Sequence, residues 1–147
     1  MLNNINELKV KIFADGADLP TMIDMSRKPF IKGLTTNPTL MKKVGITDYV
    51  KFAKQVLKEI TDKPISFEIF SDEIEEMKIQ GEKIASWGEN VYIKIPITNT
   101  KGQSTNEVIE HLVQRGGKVN VTALMTSQQV AQVMSSLDPR VPSCVSV

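Results

Sequence analysis

VYIKIPIT, residues Val91 to Thr98, is the stretch on which the fold turns. Val91, Ile93, Ile95 and Ile97 fall on one face of an extended segment, and Tyr92, Lys94, Pro96 and Thr98 fall on the other. The run predicts a buried strand with one charge in it, at Lys94. Taking an ammonium out of water is costly, and a buried lysine usually avoids the cost by losing its proton. The neutral amine is then a nucleophile for carbonyl carbons and forms Schiff bases. The strand alone equally allows a lysine whose head reaches solvent or pairs with a carboxylate.

Outward from this run the same period of two recurs. Leu8 to Asp15 reads as a first strand, with Val10, Ile12 and Ala14 on one face and Lys11, Phe13 and Asp15 on the other. Asp18 caps a short helix from about Leu19 to Arg27, with Pro20 in a first turn where a missing N–H costs little. Phe30 to Leu34 forms a second strand that runs into Thr35, Thr36, Asn37 and Pro38. Proline biases Asn37 toward extended backbone, so an ordered strand exit is expected here and not the start of a helix. Thr47 is the expected cap of the next helix, with Tyr49, Ala53, Val56, Leu57 and Ile60 on its apolar face and Lys51, Lys54 and Lys58 opposite.

Pro64 returns the chain to a strand at Ile65 to Phe70, where Ser66, Glu68 and Phe70 share a face. Ser71 is expected to cap a helix striped by Ile74, Met77, Gly81, Ile84 and Ala85 and stopped near Gly88. After VYIKIPIT come a polar loop, Asn99 to Gln103, and a capping box from Ser104 to Glu107. The helix that follows buries Val108, Ile109, Leu112 and Val113 and ends at Gly116 and Gly117. Lys118 to Ala123 is a fifth strand with Val119 and Val121 outward and Asn120 and Thr122 inward. A helix from about Ser127 to Ser136 and a sixth strand over Val141 to Val147 close the series.

Strands and helices joined by short loops in this order specify an α/β protein with parallel strands and right-handed crossovers. GxGxxG and P-loop patterns are both absent from the sequence, which removes the usual support for a nucleotide-binding doubly wound sheet. Asp15, Asn37, Glu68, Lys94, Asn120 and Thr122 lie at or near the C-terminal ends of successive strands, and within the strands they keep to one parity. In a (β/α) barrel, the inward parity at that end is where a catalytic set is assembled.

Composition narrows the function further. At 147 residues and 41% hydrophobic content, the chain reads as one domain over 1–147 with a useful core. A net charge of +1 offers no general attraction to nucleic acid or to an anionic membrane, and neither is expected as a partner. One cysteine and one histidine exclude a disulfide framework and any metal site built from several such ligands, so no metal is expected. The opening MLNNINELKVKI lacks the apolar core of a signal peptide, and no run approaches the ~20 apolar residues of a membrane span, so a cytoplasmic protein is the expectation. His111, between Glu110 and Arg115, is expected at the surface, and Cys144 as a small core residue.

With FADGAD at the first strand, GLTTNPTL after the second, SFEIF, VYIKIPIT and VNVTALMTSQQ in order, the chain resembles the transaldolase family, particularly its short members related to fructose-6-phosphate aldolase. GLTTNP and the lysine strand are the specific signals. The resemblance implies class I aldol chemistry on sugar phosphates of the pentose phosphate pathway, with no metal or diffusible cofactor. Lys94 would be the Schiff-base lysine and Asp15 the general acid/base. Asn37 would hold substrate hydroxyls or the lysine, Glu68 and Thr122 would work on a catalytic water, and Asn120 would contact the sugar. Thr35 and Thr36 are further substrate-binding candidates, and equally turn-capping residues. By the same resemblance, transferases carry glutamate at position 68 and the aldolases that release free dihydroxyacetone carry glutamine. This favours dihydroxyacetone transfer, with the lyase as alternative; a Glu68 that merely neutralises Lys94 is the other reading of the same residue. The family often forms rings, which implies a homo-oligomer.

The implied fold is a parallel (β/α) TIM-type barrel with about six of its eight strands present, since such barrels typically need about 250 residues and this chain has 147. In the family, the later strands supply an aromatic residue, a serine and the arginine that grips the phosphate. Three explanations are open: a fragment of a longer protein, a missing part contributed by another chain, or a truncated product. The first is favoured, because a stop inside a strand has no physical rationale. A non-catalytic remnant or assembly module, whose open edges pair with a partner, is the competing functional reading.

Overall fold

The computed structural model of the chain describes Ile5 and residues 8–146. Its strands form one sheet in chain order, β1-β2-β3-β4-β5-β6, alternating with helices. The ladders β1/β2, β2/β3, β4/β5 and β5/β6 are parallel. This is the topology of a partial (β/α) TIM-type barrel, as the alternation predicts. The chain divides into two compact units, Met1–Ser66 and Phe67–Val147.

In the first unit, β1 is Ile12–Asp15 and β2 is Ile31–Thr35. Their register shifts between Ile12 and Phe13, after which Phe13 pairs with Gly33 and Asp15 with Thr35. Gly33 is required by that pairing: a Cβ there would lie 2.2 Å from Cε1 of Phe13. Val10, inside the expected strand, stands in solvent ahead of β1. Helix α1, Leu19–Ser26, is capped as expected, with Asp18 Oδ2 accepting from the Thr21 N–H at 3.0 Å. It packs on β2 and against α3, Tyr49–Glu59, whose Phe52, Ala53 and Val56 are buried and whose lysines are exposed. Asp48, not Thr47, caps α3 by accepting from the Lys51 N–H.

The expected strand exit at Asn37 is in fact the start of a helix, α2, Pro38–Lys43. Both forces the sequence suggests are present. Asn37 is extended (φ −152°, ψ 164°), as proline demands of its predecessor. Pro38 then sits in the first turn, the one helical position that tolerates it.

Strand β3, Ile65–Glu68, begins in the first unit and ends in the second. The second unit continues with α4 (Ile74–Ala85), β4 (Val91–Pro96), α5 (Asn106–Gln114), β5 (Val119–Thr122), α6 (Ser127–Ser136) and β6 (Ser143–Val145). In β4, Val91, Ile93 and Ile95 are buried while Tyr92, Lys94 and Pro96 are half-buried, the alternation predicted for the lysine strand. Phe67 meets Trp87 edge-on, with ring centroids 5.5 Å apart. Helices α4 and α5 approach closely at Gly81, where an added Cβ would be 2.6 Å from Leu112 Cδ1. Val108, Ile109, Leu112 and Val113 are all buried, as the α5 stripe requires. The sixth strand is shorter than expected, and Val147 lies outside the described residues. Among the described residues no helix is long and apolar enough to cross a membrane.

Candidate functional site

Within the second unit the polar residues of three neighbouring strands fall on one side. Lys94 sits mid-strand between Ile93 and Ile95, both without solvent exposure, and its own side chain is 13% exposed. Its Nζ lies 3.3 Å from Oε2 of Glu68, the last residue of β3, whose side chain is 22% exposed. On the other flank, Lys94 is in register with Asn120 and Pro96 with Thr122. Paired residues in a parallel ladder share a face, so Lys94, Asn120 and Thr122 project together. Asn120 is buried, and its Oδ1 accepts a hydrogen bond from Ser146 Oγ at 2.7 Å.

The first unit gathers the remaining candidates. Asp15 ends β1 and is exposed; its Oδ1 accepts from Thr35 Oγ1 at 2.7 Å, while the Gly16 N–H donates to the Thr35 carbonyl at 3.0 Å. The Thr35 hydroxyl orients that carboxylate, and the backbone bond ties the loop after β1 to the end of β2. Ala14 and Leu34 alternate with Asp15 and Thr35 and line a cavity of about 240 Å³ with Met22, Met25 and Leu40. Thr36 is fully buried, and its hydroxyl has no hydrogen-bond partner among the described residues. Asn37 uses Oδ1 to accept from the Leu40 N–H at 2.9 Å, so its carbonyl caps α2 while its amide nitrogen points elsewhere than that bond. Thus Thr35 is a carboxylate partner rather than a turn cap, and Asn37 carries a structural duty besides any contact with a substrate.

Two contributors escape a reading by pattern. Ser66 is buried on the face that Glu68 shares, in register with Thr35. Its inward parity was a signal, but serine at a strand position carries little chemical information. Ser146 follows β6 and reaches Asn120 only through the β5/β6 register, which no local pattern encodes. His111 lies at the surface as expected but is half-buried there, with Nε2 2.8 Å from Glu82 Oε1 and Nδ1 3.3 Å from Arg115 Nη1.

Chemically, the second unit presents an amine largely withdrawn from water, a carboxylate in contact with it, and hydroxyl and amide groups beside it. Withdrawing an ion pair from water costs much of what the attraction returns, so stability is a weak reason for such a pair. An amine with an adjacent proton carrier is what carbonyl condensation needs.

Comparison with known proteins bears on this arrangement. Residues 12–147 match the family described as Transaldolase/Fructose-6-phosphate aldolase. A "Probable transaldolase" of Sulfurihydrogenibium sp. (strain YO3AOP1) is 36% identical over 125 residues, covering 85% of this chain and 55% of that protein. A "Probable transaldolase" of Maridesulfovibrio salexigens is 35% identical over 120 residues, covering 82% and 53%. One of Streptococcus equi subsp. zooepidemicus is 34% identical over 127 residues, covering 86% and 56%. The chain therefore spans about half the length of the curated relatives it matches.

Proposed function

The chain belongs to the Transaldolase/Fructose-6-phosphate aldolase family, and from that premise we propose that it carries the Schiff-base half of a transaldolase that moves a dihydroxyacetone unit between sugar phosphates. The observation that supports this best is the contact of Lys94, mostly withdrawn from solvent, with Glu68. Deprotonated Lys94 attacks the ketone carbon of a donor such as fructose 6-phosphate, the carbinolamine loses water, and an iminium forms. That cation accepts the electron pair of the breaking carbon–carbon bond, leaving a three-carbon enamine on the lysine. Asp15, as carboxylate, takes the proton from the hydroxyl whose carbon becomes the departing aldehyde, and it returns a proton on the reverse path. Glu68 and Thr122 handle the water lost and regained, while Asn37, Asn120 and Thr35 contact substrate; Thr36, fully buried, supports the strand end from beneath. Glutamate at position 68 is what favours transfer over release. In this reading 1–147 is one incomplete barrel domain of a cytoplasmic, homo-oligomeric enzyme.

Incubation with fructose 6-phosphate and sodium borohydride, followed by peptide mass spectrometry, tests the proposal. A reduced three-carbon adduct on Lys94, absent from Lys94→Met, is expected. Labelling spread over the surface lysines, or no labelling, would overturn it.

A further inference from the structure

Two loops that leave the strands beside Lys94 are closed by the same device. After Glu68 and the buried Ile69, whose N–H donates to the Lys94 carbonyl at 3.1 Å, the next two N–H groups have no strand to pair with. Phe70 and Ser71 both donate instead to Oε1 of Gln80 in α4, at 2.5 and 3.0 Å. After Thr122, the chain turns at Ala123 (φ 62°), buries Leu124, and again offers two consecutive N–H groups. Met125 and Thr126 donate both to Oε1 of Gln129 in α6, at 2.7 and 3.1 Å. A carboxamide oxygen has two lone pairs and satisfies two adjacent donors at once.

The consequence at the strand ends is specific. Glu68 and Thr122 are each the last residue of a strand, and the ladder bonds beside them are the last ones, Ile69 N–H to the Lys94 carbonyl at 3.1 Å and Ile97 N–H to the Thr122 carbonyl at 2.9 Å. Beyond them stand Phe70, 43% exposed, and Met125, 82% exposed, side chains that solvent contact would pull toward burial if the loops were slack. Each glutamine fixes the loop by its backbone instead. Ala123 adds strain on the Thr122 side, since a residue with a Cβ disfavours a left-handed conformation and must be held there.

We infer that Gln80 and Gln129 are positioning residues of the Lys94 site, each fixing a strand end whose final side chain works on the lysine's reaction. The inference rests on the Schiff-base reading above. Displacing a reacting group by about 1 Å costs up to about a hundredfold in rate. Replacing either glutamine with methionine keeps length and removes the acceptor. Gln80→Met and Gln129→Met are therefore expected to slow borohydride-trapped adduct formation about tenfold or more, with Gln129→Glu, which retains an acceptor, restoring most of the rate. Hydrogen exchange supplies the check that needs no variant: the N–H groups of Phe70, Ser71, Met125 and Thr126 are expected to be protected in the unsubstituted chain. Exchange at unprotected rates, or adduct formation in both methionine variants at the original rate, would overturn the inference. Failure of the unsubstituted chain to form any adduct would instead overturn the Schiff-base reading, and protection of the four N–H groups would still report on the clamps.

Discussion

The Lys94–Glu68 contact of 3.3 Å is the point where chemistry and structure make different demands of the same pair. A carboxylate that only balanced the ammonium could be exchanged for an amide with no change in products. One that manages a water could not. Glu68→Gln is therefore expected still to form the adduct on Lys94, but more slowly, while raising the share released as free dihydroxyacetone from fructose 6-phosphate, read by a coupled reductase assay; an unchanged share would mean the carboxylate is only a counter-charge. Gly33 makes a stability claim of the same local kind. Because its Cβ would fall within 2.2 Å of the Phe13 ring, Gly33→Ala is expected to lower stability by about 1–3 kcal/mol, measured as the urea midpoint, through forced movement of a packed aromatic. At this scale strand parity foretells which side chains share a face, as Lys94, Asn120 and Thr122 do, and Glu68 meets Lys94. Ser146 stayed hidden because its partner, Asn120, is reached only across a strand pairing.

Helix and strand existence followed from periodicity, but helix starts did not follow from the first capping residue in the chain. Ser71 was the expected cap of α4, yet its hydroxyl donates to Glu76 at 2.8 Å and the helix begins after Glu73, which makes no side-chain cap. The Ser104–Glu107 box fails for a tertiary reason: Glu107 pairs with Lys78 of α4, which takes its carboxylate away from the N-terminus of α5, and the N-cap is Thr105. Where no competitor intervenes, the motif forms. Thr126 and Gln129 make a complete capping box on α6, a T-x-x-Q pattern. Thr126→Ala is accordingly expected to cost ~1 kcal/mol, and Ser104→Ala to stay within about 0.5 kcal/mol, both by chemical denaturation. The turn between α6 and β6 adds a pH dependence. Side-chain hydrogen bonds from Arg140, then its backbone N–H, hold the Asp138 carboxyl down at about 2 from an ordinary 3.8. Since the folded value is the lower one, this stabilisation is complete above about pH 4 and is lost as pH falls toward 2. A carboxyl-carbon NMR titration should place Asp138 near 2, and Arg140→Ala should return it toward the ordinary value.

Chain-order pairing of parallel strands is the property of the whole molecule that its sequence carries most openly, because short loops and right-handed crossovers leave successive strands little choice but to be neighbours. The same order makes β6 an end strand, paired only with β5 among the described residues. Its backbone groups divide by parity. The Ser146 N–H donates to the Val121 carbonyl at 2.8 Å, so Cys144 and Ser146 direct their polar groups toward β5, and the N–H and C=O of Val145 point to the open side. An unpaired row of this kind recruits another strand. The chain is therefore expected to self-associate as its concentration rises, with the weight-average mass in sedimentation velocity climbing from that of a 16.4 kDa monomer. Proline at position 145 would delete the outward donor and leave the bonds to β5 in place, because the residue it replaces contributes none of them. Val145→Pro should consequently stay monomeric with an unchanged circular dichroism spectrum. Association that persists in this variant, or a monomer at every concentration of the unsubstituted chain, would locate the contact elsewhere or remove it, whereas suppression by this one substitution would identify the β6 edge as the joining surface.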